Sequence, residues 1–367
     1  MVKVPFYDMS RSYEEIGEAL EAKAIEVLRS NCYIGGAQVE EFEQHFADYV
    51  NAHYCCGVSS GLSALHLALI AVGVGPGDEV IVPSNTFIAT WLAVSHCGAT
   101  PVPVEPDIKY HTMSAEYVER SITRNTKAII PVHLYGQSAD LAPIIELARK
   151  HNLSIIEDAA QAHGARYNGD RIGSHSDIVA WSYYPGKNLG AAGDAGGITT
   201  NQPEIAQKIN LLRNYGSILK YQNDIIGFNA RLDPIQAALL SIKLEKLDSW
   251  NYSRQEIANA YSNGITNSCV VTPSTPSWST PVWHQYVIRS PYRDKLKHWL
   301  HTCGVETLVH YPIPPHKQKA YESFNSLHLP VSELLADEIL SLPVSPHLSP
   351  DQVKTVVDAI NDFDPTT

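Results

Sequence analysis

Lys187 is the residue of this sequence best suited to form a covalent bond with a ligand. It sits in the run Trp181-Ser182-Tyr183-Tyr184-Pro185-Gly186-Lys187-Asn188-Leu189-Gly190, in a turn made by Pro185 and Gly186. An apolar, strand-like stretch (178–184) precedes it, and small residues follow: Gly190, Ala191, Ala192, Gly193, Ala195, Gly196 and Gly197. A buried lysine loses its proton readily and attacks carbonyl carbon. The competing reading is a solvated turn lysine, since lysine is mostly exposed.

The remaining candidates favour the first reading. Asp158 ends an apolar run (153–156), where a carboxylate faces the crevice above a sheet and needs a cationic partner. Ser60-Gly61-Leu62-Ser63 opens a long apolar helix. Its free N–H groups and dipole suit a phosphate, and a plain serine cap is the alternative. Ser182 adds a hydroxyl. Phe87 and Ala160 follow strands and could cover the two faces of a ring. One cofactor suits all of these groups. Pyridoxal phosphate (PLP) has a protonated ring nitrogen for Asp158, an aldehyde for Lys187 and a phosphate for the helix start.

The elements that must position these residues alternate. Periodicity predicts helices over 12–28, 38–49, 86–97, 115–122, 141–151 and 203–213, with strands over 79–82, 101–104, 128–132 and 153–156. This pattern predicts a mainly parallel sheet with helices on both faces, whose ligands gather at the strand C-terminal ends. Beyond it, helices are expected from 227 to about 247 and over 253–262, the latter crossing between domains. A strand over 282–288, a helix over 293–301, a strand over 305–310 and helices over 331–340 and 351–362 follow. No GxGxxG follows a first strand, which disfavours a Rossmann dinucleotide site.

Bulk properties exclude other classes. The 367 residues are 44% hydrophobic, enough for one large and one smaller domain. A net charge of −12 without a basic run argues against nucleic acid and anionic membranes. There is no secretory pattern, and no apolar run reaches the ~18 residues of a membrane span. The six cysteines lack CxxC spacing and read as reduced thiols, so a cytoplasmic protein is expected. His310 and His316 have no third ligand at useful spacing, so no metal is expected.

Six motifs together resemble the DegT/StrS nucleotide-sugar aminotransferases, a family of fold-type I PLP enzymes: GDEVIVP (77–83), VHLYG (132–136), EDAAQAHG (157–164), YPGKNLG (184–190), GFNAR (227–231) and HYPIP (310–314). The resemblance runs nearly end to end. It implies an α/β fold, with a large PLP-binding domain (31–248) whose mainly parallel central sheet is flanked by helices. A smaller α+β C-terminal domain (249–367) and an N-terminal segment (1–30) packing on the small domain complete it. It also implies that Lys187 bonds the cofactor aldehyde and shuttles the proton, and that Asp158 pairs with the pyridine nitrogen. Gln161 would bond the ring hydroxyl, and Gly61, Leu62 and Ser182 would hold the phosphate. Asn229 would reach the phosphate of the neighbouring subunit, making the active unit a homodimer with its sites at the interface. Ser63 and Ala195 depart from the family's usual residues, which concerns loop shape.

The segments 215–217, 220–221, 223–224 and 227–233, with Trp283-His284 and 310–312, resemble the subgroup that aminates the 3-keto carbon of dTDP-linked 6-deoxyhexoses. Glutamate would donate the amino group and leave as 2-oxoglutarate. Pyridoxamine phosphate (PMP) would be the intermediate form, and the nucleotide-linked keto sugar the acceptor. Tyr183, Lys220, Tyr221, Arg231, His310 and Tyr311 are the substrate-binding candidates. Arg231 could instead cap a carboxylate, and His310 and Tyr311 could instead form a structural turn. His163 has two readings, a ring contact or a packed core histidine. The small residues after Lys187 are expected to leave room for the sugar nucleotide. Alternative functions are a 4-keto sugar aminotransferase, a PLP/PMP-dependent dehydratase (whose relatives lack the lysine), a non-catalytic PLP-binding regulator and a nucleotide-sugar binding module.

Overall fold

The β-branched runs lie side by side in a seven-stranded sheet in the computed structural model, which describes residues 3–366. In chain order the strands are β1 (Tyr54–Val58), β2 (Glu79–Pro83), β3 (Thr100–Val104), β4 (Thr126–Ile129), β5 (Ser154–Asp158), β6 (Ile178–Ser182) and β7 (Gly196–Thr200). Their spatial order is β1-β7-β6-β5-β4-β2-β3. Only β7 runs against its neighbours. So β1, β2, β5 and β6 all end at one edge, and that edge carries Ser60, Phe87, Asp158 and Ser182.

Helices cover both faces: α1 (Ser10–Ser30), α2 (Ala37–Val50), α3 (Gly61–Ala71), α4 (Ile88–His96), α5 (Ala115–Ser121), α6 (Leu141–His151), α7 (Pro203–Leu212) and α8 (Pro234–Leu244). The central one is α3. It is apolar nearly all round, so it must be enclosed. It lies on β6 and β7 and beside α4, with Ala64, Leu65, Leu67, Ala68 and Leu69 buried. Its enclosure holds the helix start rigidly over the sheet edge.

The chain leaves the sheet through α9 (Leu247–Gly264). An antiparallel pair, β8 (Tyr286–Arg289) and β9 (Ile339–Leu342), forms a separate core with α9, α10 (Arg293–Thr302) and α12 (Pro350–Asn361). The remaining helix, α11 (Pro330–Glu338), is tied to the large sheet by Glu105. This buried carboxylate accepts the N–H groups of Val331 (2.8 Å) and Ser332 (3.0 Å) at the helix start, where the dipole favours negative charge.

Several expectations need correction. The helix expected from 227 begins at Pro234. The residues before it run extended, with bridges Asn214–Asn229 and Val58–Arg231. The expected 253–262 helix is the second half of the 18-residue α9. Residues 305–310 form bridges (Val4–Val305, Leu308–Ser341) rather than a strand, and residues 339–340, expected in a helix, begin β9. The N-terminal segment touches both parts: Val4 joins the small core, while α1 lies on α8.

Candidate active site

A cavity of about 680 Å³ opens at the sheet edge where those strands end. Ser60, Gly61, Leu62, Phe87, Asp158, Ala160, Gln161, Ser182, Lys187, His310 and Tyr311 line it together. The geometry of the lysine comes from its turn, in which the Lys187 N–H donates to the Tyr184 carbonyl at 2.8 Å. Burial lowers its ammonium pKa to about 8, against the opposing pull of Asp158. At neutral pH roughly a tenth of the side chain is then free amine.

Asp158 accepts the Thr90 hydroxyl at 2.9 Å and the Ala160 N–H at 3.2 Å. The Thr90 hydroxyl pairs in turn with that of Thr86, at 2.9 Å. Burial pushes the Asp158 pKa up in spite of these hydrogen bonds and the nearby Lys187 charge. It is therefore a carboxylate with too little positive charge around it. Its sequence neighbour Glu157 points to the opposite face of β5. His133 accepts the Ala139 N–H on Nδ1 (3.1 Å), so its Nε2–H donates to Glu157 at 2.8 Å. Burial would raise the Glu157 pKa, but the hydrogen bonds from His133 and Ser176 outweigh it and leave the group lowered. One acid of the pair thus braces the sheet while the other serves the cavity.

The helix start meets β6 and β7 closely. A Cβ on Gly61 would lie 2.6 Å from the Ser182 Cβ, and one on Gly196 would lie 2.4 Å from the Ser60 carbonyl carbon. Only glycine allows this approach. Ser60 caps the helix by accepting the Ser63 N–H at 3.1 Å. The N–H groups of Gly61 and Leu62 have no intrahelical acceptor and stand beside the Ser182 hydroxyl, a ready anion site. Gly61→Ala is expected to weaken PLP affinity about tenfold or more, the scale of one charge-assisted hydrogen bond. A fluorescence titration giving wild-type affinity would rule out this cradle.

Gln161 is locked by two hydrogen bonds. Its Oε1 accepts the Tyr135 N–H (2.6 Å) and its Nε2 donates to the Tyr311 hydroxyl (3.2 Å). The amide nitrogen therefore faces the cavity as a donor, as a ring oxygen requires. The Phe87 ring stands 5.2 Å from that of Tyr311. Burial, then the Lys187 charge, pushes the His310 pKa down to about 4, and burial holds that of His284 well below its ordinary value. Both imidazoles are neutral at pH 7.

The profile of the DegT/DnrJ/EryC1/StrS aminotransferases matches residues 14–361. The chain belongs to this family. A dTDP-3-amino-3,4,6-trideoxy-α-D-glucose transaminase of Streptomyces venezuelae is 48% identical over 98% of this chain and 96% of its own length. A dTDP-3-amino-3,6-dideoxy-α-D-galactopyranose transaminase of Aneurinibacillus thermoaerophilus is 49% identical, over 98% and 99%. The crystal structure of S. venezuelae DesV in complex with a ketimine intermediate superposes with a TM-score of 0.97 at 47% identity, covering 99% of this chain and 98% of that one. The fold is thus that of the family's aminotransferases, and the chain is an aminotransferase. The site fits the family's cofactor, PLP. A pyridinium nitrogen would supply positive charge to the buried Asp158, the helix start and Ser182 would hold a phosphate, and Lys187 is a nucleophile in the same cavity.

For this family member, the remaining candidates fall outside the cavity. Tyr183 is fully buried on the opposite side of the chain from Ser182, edge-on to Phe42 and Phe46. It belongs to the core and not to a substrate site. Lys220 and Tyr221 stand exposed at the tip of a hairpin, Tyr221 at 88%. Arg231 donates to the Asn214 side chain at 3.0 Å and lies over the Tyr215 ring. Asn229 is exposed. His163 is a packed core histidine between Trp181 and Tyr183, away from the cavity lining. Among the small residues after Lys187, Gly190 and Gly197 serve close packing: a Cβ on Gly190 would lie 2.3 Å from the Pro185 carbonyl, and one on Gly197 would lie 2.6 Å from the Tyr183 hydroxyl, while Gly190, Ala191 and Ala192 also line a smaller cleft beside Lys187.

Sequence reasoning missed Thr90, Tyr7, Asp194, Arg254 and Gln285, all at the cavity or bonded into it. Thr90 had a signal, as a polar residue in the otherwise apolar start of α4. Arg254 had none, because α9 is polar along much of its length. Among the described residues, no cluster of acidic, histidine and cysteine side chains could hold a metal ion.

Proposed function

We propose that this aminotransferase moves an amino group from glutamate to the C3 keto carbon of a dTDP-linked 6-deoxyhexose. The observation that carries the reaction class is the meeting of Lys187, Asp158 and the Gly61–Ser182 cradle in one cavity. Carbon 3 is supported by the two relatives, whose names agree at position 3 and differ at position 4. The presence of both Lys187 and Asp158 speaks against the dehydratase and regulator alternatives.

Bound PLP supplies an electron sink for the pair left when a C–H bond beside nitrogen breaks. The chain's residues do the rest. With its pKa near 8, Lys187 can take and return a proton near neutrality. Asp158, fixed by Thr90 and Ala160, keeps the ring nitrogen protonated. Gln161 would hold the ring through its oxygen, and Phe87 and Ala160 would pack against it. His310 and Tyr311 meet the sugar at the cavity mouth.

The active unit in this reading is a homodimer in the cytoplasm. Support comes from the hairpin around Lys220, where Ile218 (60%), Leu219 (61%), Tyr221 and Ile226 (91%) present an exposed apolar surface beside Asn229. Seated against a second copy, this surface would bring Asn229, Lys220 and Tyr221 to the other copy's cavity. Ile226→Asp is expected to shift the protein to monomer in light scattering and to weaken PLP retention with it. A fully dimeric, PLP-replete variant would count against this interface. All six cysteines are free thiols, and among the described residues no helix is long and apolar enough to cross a membrane.

A panel of 3-keto and 4-keto dTDP-hexoses, incubated with glutamate and PLP and read by mass spectrometry, tests the function. Amination of the 3-keto sugars is expected. Amination of the 4-keto sugars alone would transfer the assignment to C4, and no amination of any would remove the transaminase reading.

A further inference from the structure

We propose that Arg254 anchors a carboxylate of the amino donor, and so divides the cavity into a donor end and a sugar end. The inference rests on the transaminase reading above. Arg254 projects from α9 into the cavity that holds Lys187, and only 5% of it is exposed. Its Nη1 donates to the backbone carbonyls of Val344 and Trp283, the latter at 3.3 Å. Its buried Nε has no acceptor among the described residues. No described carboxylate forms an ion pair with it.

That is an unusual state for a guanidinium. A buried charge is costly unless it is paired and hydrogen-bonded, and two carbonyls on one nitrogen leave the charge uncompensated. Burial alone draws its pKa down to about 10, with only the Tyr7 hydroxyl acting in the other direction. The open side of the fork is a planar, rigid donor set that matches a carboxylate.

The charges around the cavity determine which anion it takes. His284 and His310 are neutral there, which leaves Arg254 as the fixed cation beside Lys187 among the described lining residues. An amino-acid donor carries its carboxylate one bond from the carbon whose proton Lys187 must reach. The phosphate of the cofactor would have its own cradle at Gly61, Leu62 and Ser182. Arg254 and Lys187 also share a second, adjoining cleft with Tyr7 and the 185–192 turn, so the two side chains border the same space twice. Tyr7 is held there by a 3.0 Å hydrogen bond to the Pro185 carbonyl. The buried Gln285 Oε1, also without a partner among the described residues, belongs to a residue lining the same cavity.

The test separates the two half-reactions in Arg254→Gln and Arg254→Lys. With the PLP-loaded enzyme, the glutamate concentration giving half-maximal spectral conversion should rise about 30- to 100-fold in Arg254→Gln, the scale of losing one partner of a desolvated charge pair. Arg254→Lys, which keeps the charge without the fork, should fall between. With the PMP-loaded enzyme, the keto-sugar half-reaction and dTDP binding should stay within about twofold. Glutarate, which cannot react, should lose calorimetric affinity in parallel with glutamate. Unchanged glutamate and glutarate affinity overturns the proposal. Equal losses in the sugar and dTDP arms also overturn it, and would assign Arg254 to the diphosphate. Should Arg254→Gln fail to fold, Arg254→Lys carries the same measurements. A wild-type protein that binds glutarate but never converts glutamate would instead overturn the transaminase reading and leave the anchor standing.

Discussion

Lys187→Ala is expected to lose turnover by about 10⁴-fold or more and to lose the visible band of a covalently held cofactor. The side chain has two tasks, and alanine removes both. General acid–base catalysis by one positioned group contributes about 10²- to 10⁴-fold. Covalent capture of the carbonyl adds to that, because it makes exchange with the donor a swap of one amine for another. The lowered pKa, to about 8, matches these tasks. An ordinary lysine would be charged almost throughout the neutral range and could do neither. In the cofactor-free protein, acylation of Lys187 should therefore increase with pH up to about 8 and then level off. Lys187→Arg should be as inactive as alanine, since it keeps charge but not nucleophilicity. Added methylamine should restore part of the proton transfer in Lys187→Ala and none of the covalent retention. Full turnover by Lys187→Ala would end the proposed mechanism.

The parts of this site that could be read from sequence are those whose chemistry demands a residue type at a strand end or a helix start. Asp158 and Ser182 close β5 and β6, and Gly61 opens α3; position and type agree at each. The errors came from packing. Whether Tyr183 joins Ser182 at the site depends on where β6 stops and on the side-chain alternation that follows. Sequence alone extended that strand by two residues. From sequence the glycines near Lys187 read as open space, because nothing local reveals that Gly196 and Gly197 are strand residues. In β7, GGITT, two glycines hide the β-branched pattern, and β1, YCCGV, is no clearer. Both strands exist because neighbouring strands and α3 cover them, a long-range fact that local propensity does not carry. Arg254 is the extreme case. Its role depends on the absence of a partner, and that can be recognised only once the fold shows what surrounds it.

Asp158→Asn is expected to lower turnover by about 10²- to 10³-fold while the covalent cofactor band survives. Asparagine keeps the shape and can still accept the Ala160 N–H through its carbonyl oxygen. It cannot balance a protonated ring nitrogen, so the ring is a weaker electron sink when the C–H bond breaks. A loss of this size is typical when a preorganised electrostatic partner of the transition state is removed. The spectral result separates the two residues, since Lys187→Ala loses the band along with the activity. Stability should move the opposite way. In the cofactor-free protein the Asp158 pKa is raised by burial above its unfolded value. The folded state then binds more protons than the unfolded state as pH rises beyond the ordinary aspartate range, so stability falls through that interval and stays lowered at neutral pH. Asparagine has no such penalty. The cofactor-free variant should melt at or above the wild-type temperature near pH 7, and the difference should shrink in acid. The stabilisation gained on adding PLP should be smaller in the variant, because the wild-type carboxylate acquires its missing cation at that step. If cofactor-free Asp158→Asn is clearly less stable than the wild type at pH 7, Asp158 is chiefly a structural hydrogen-bonding group for Thr90 and Ala160.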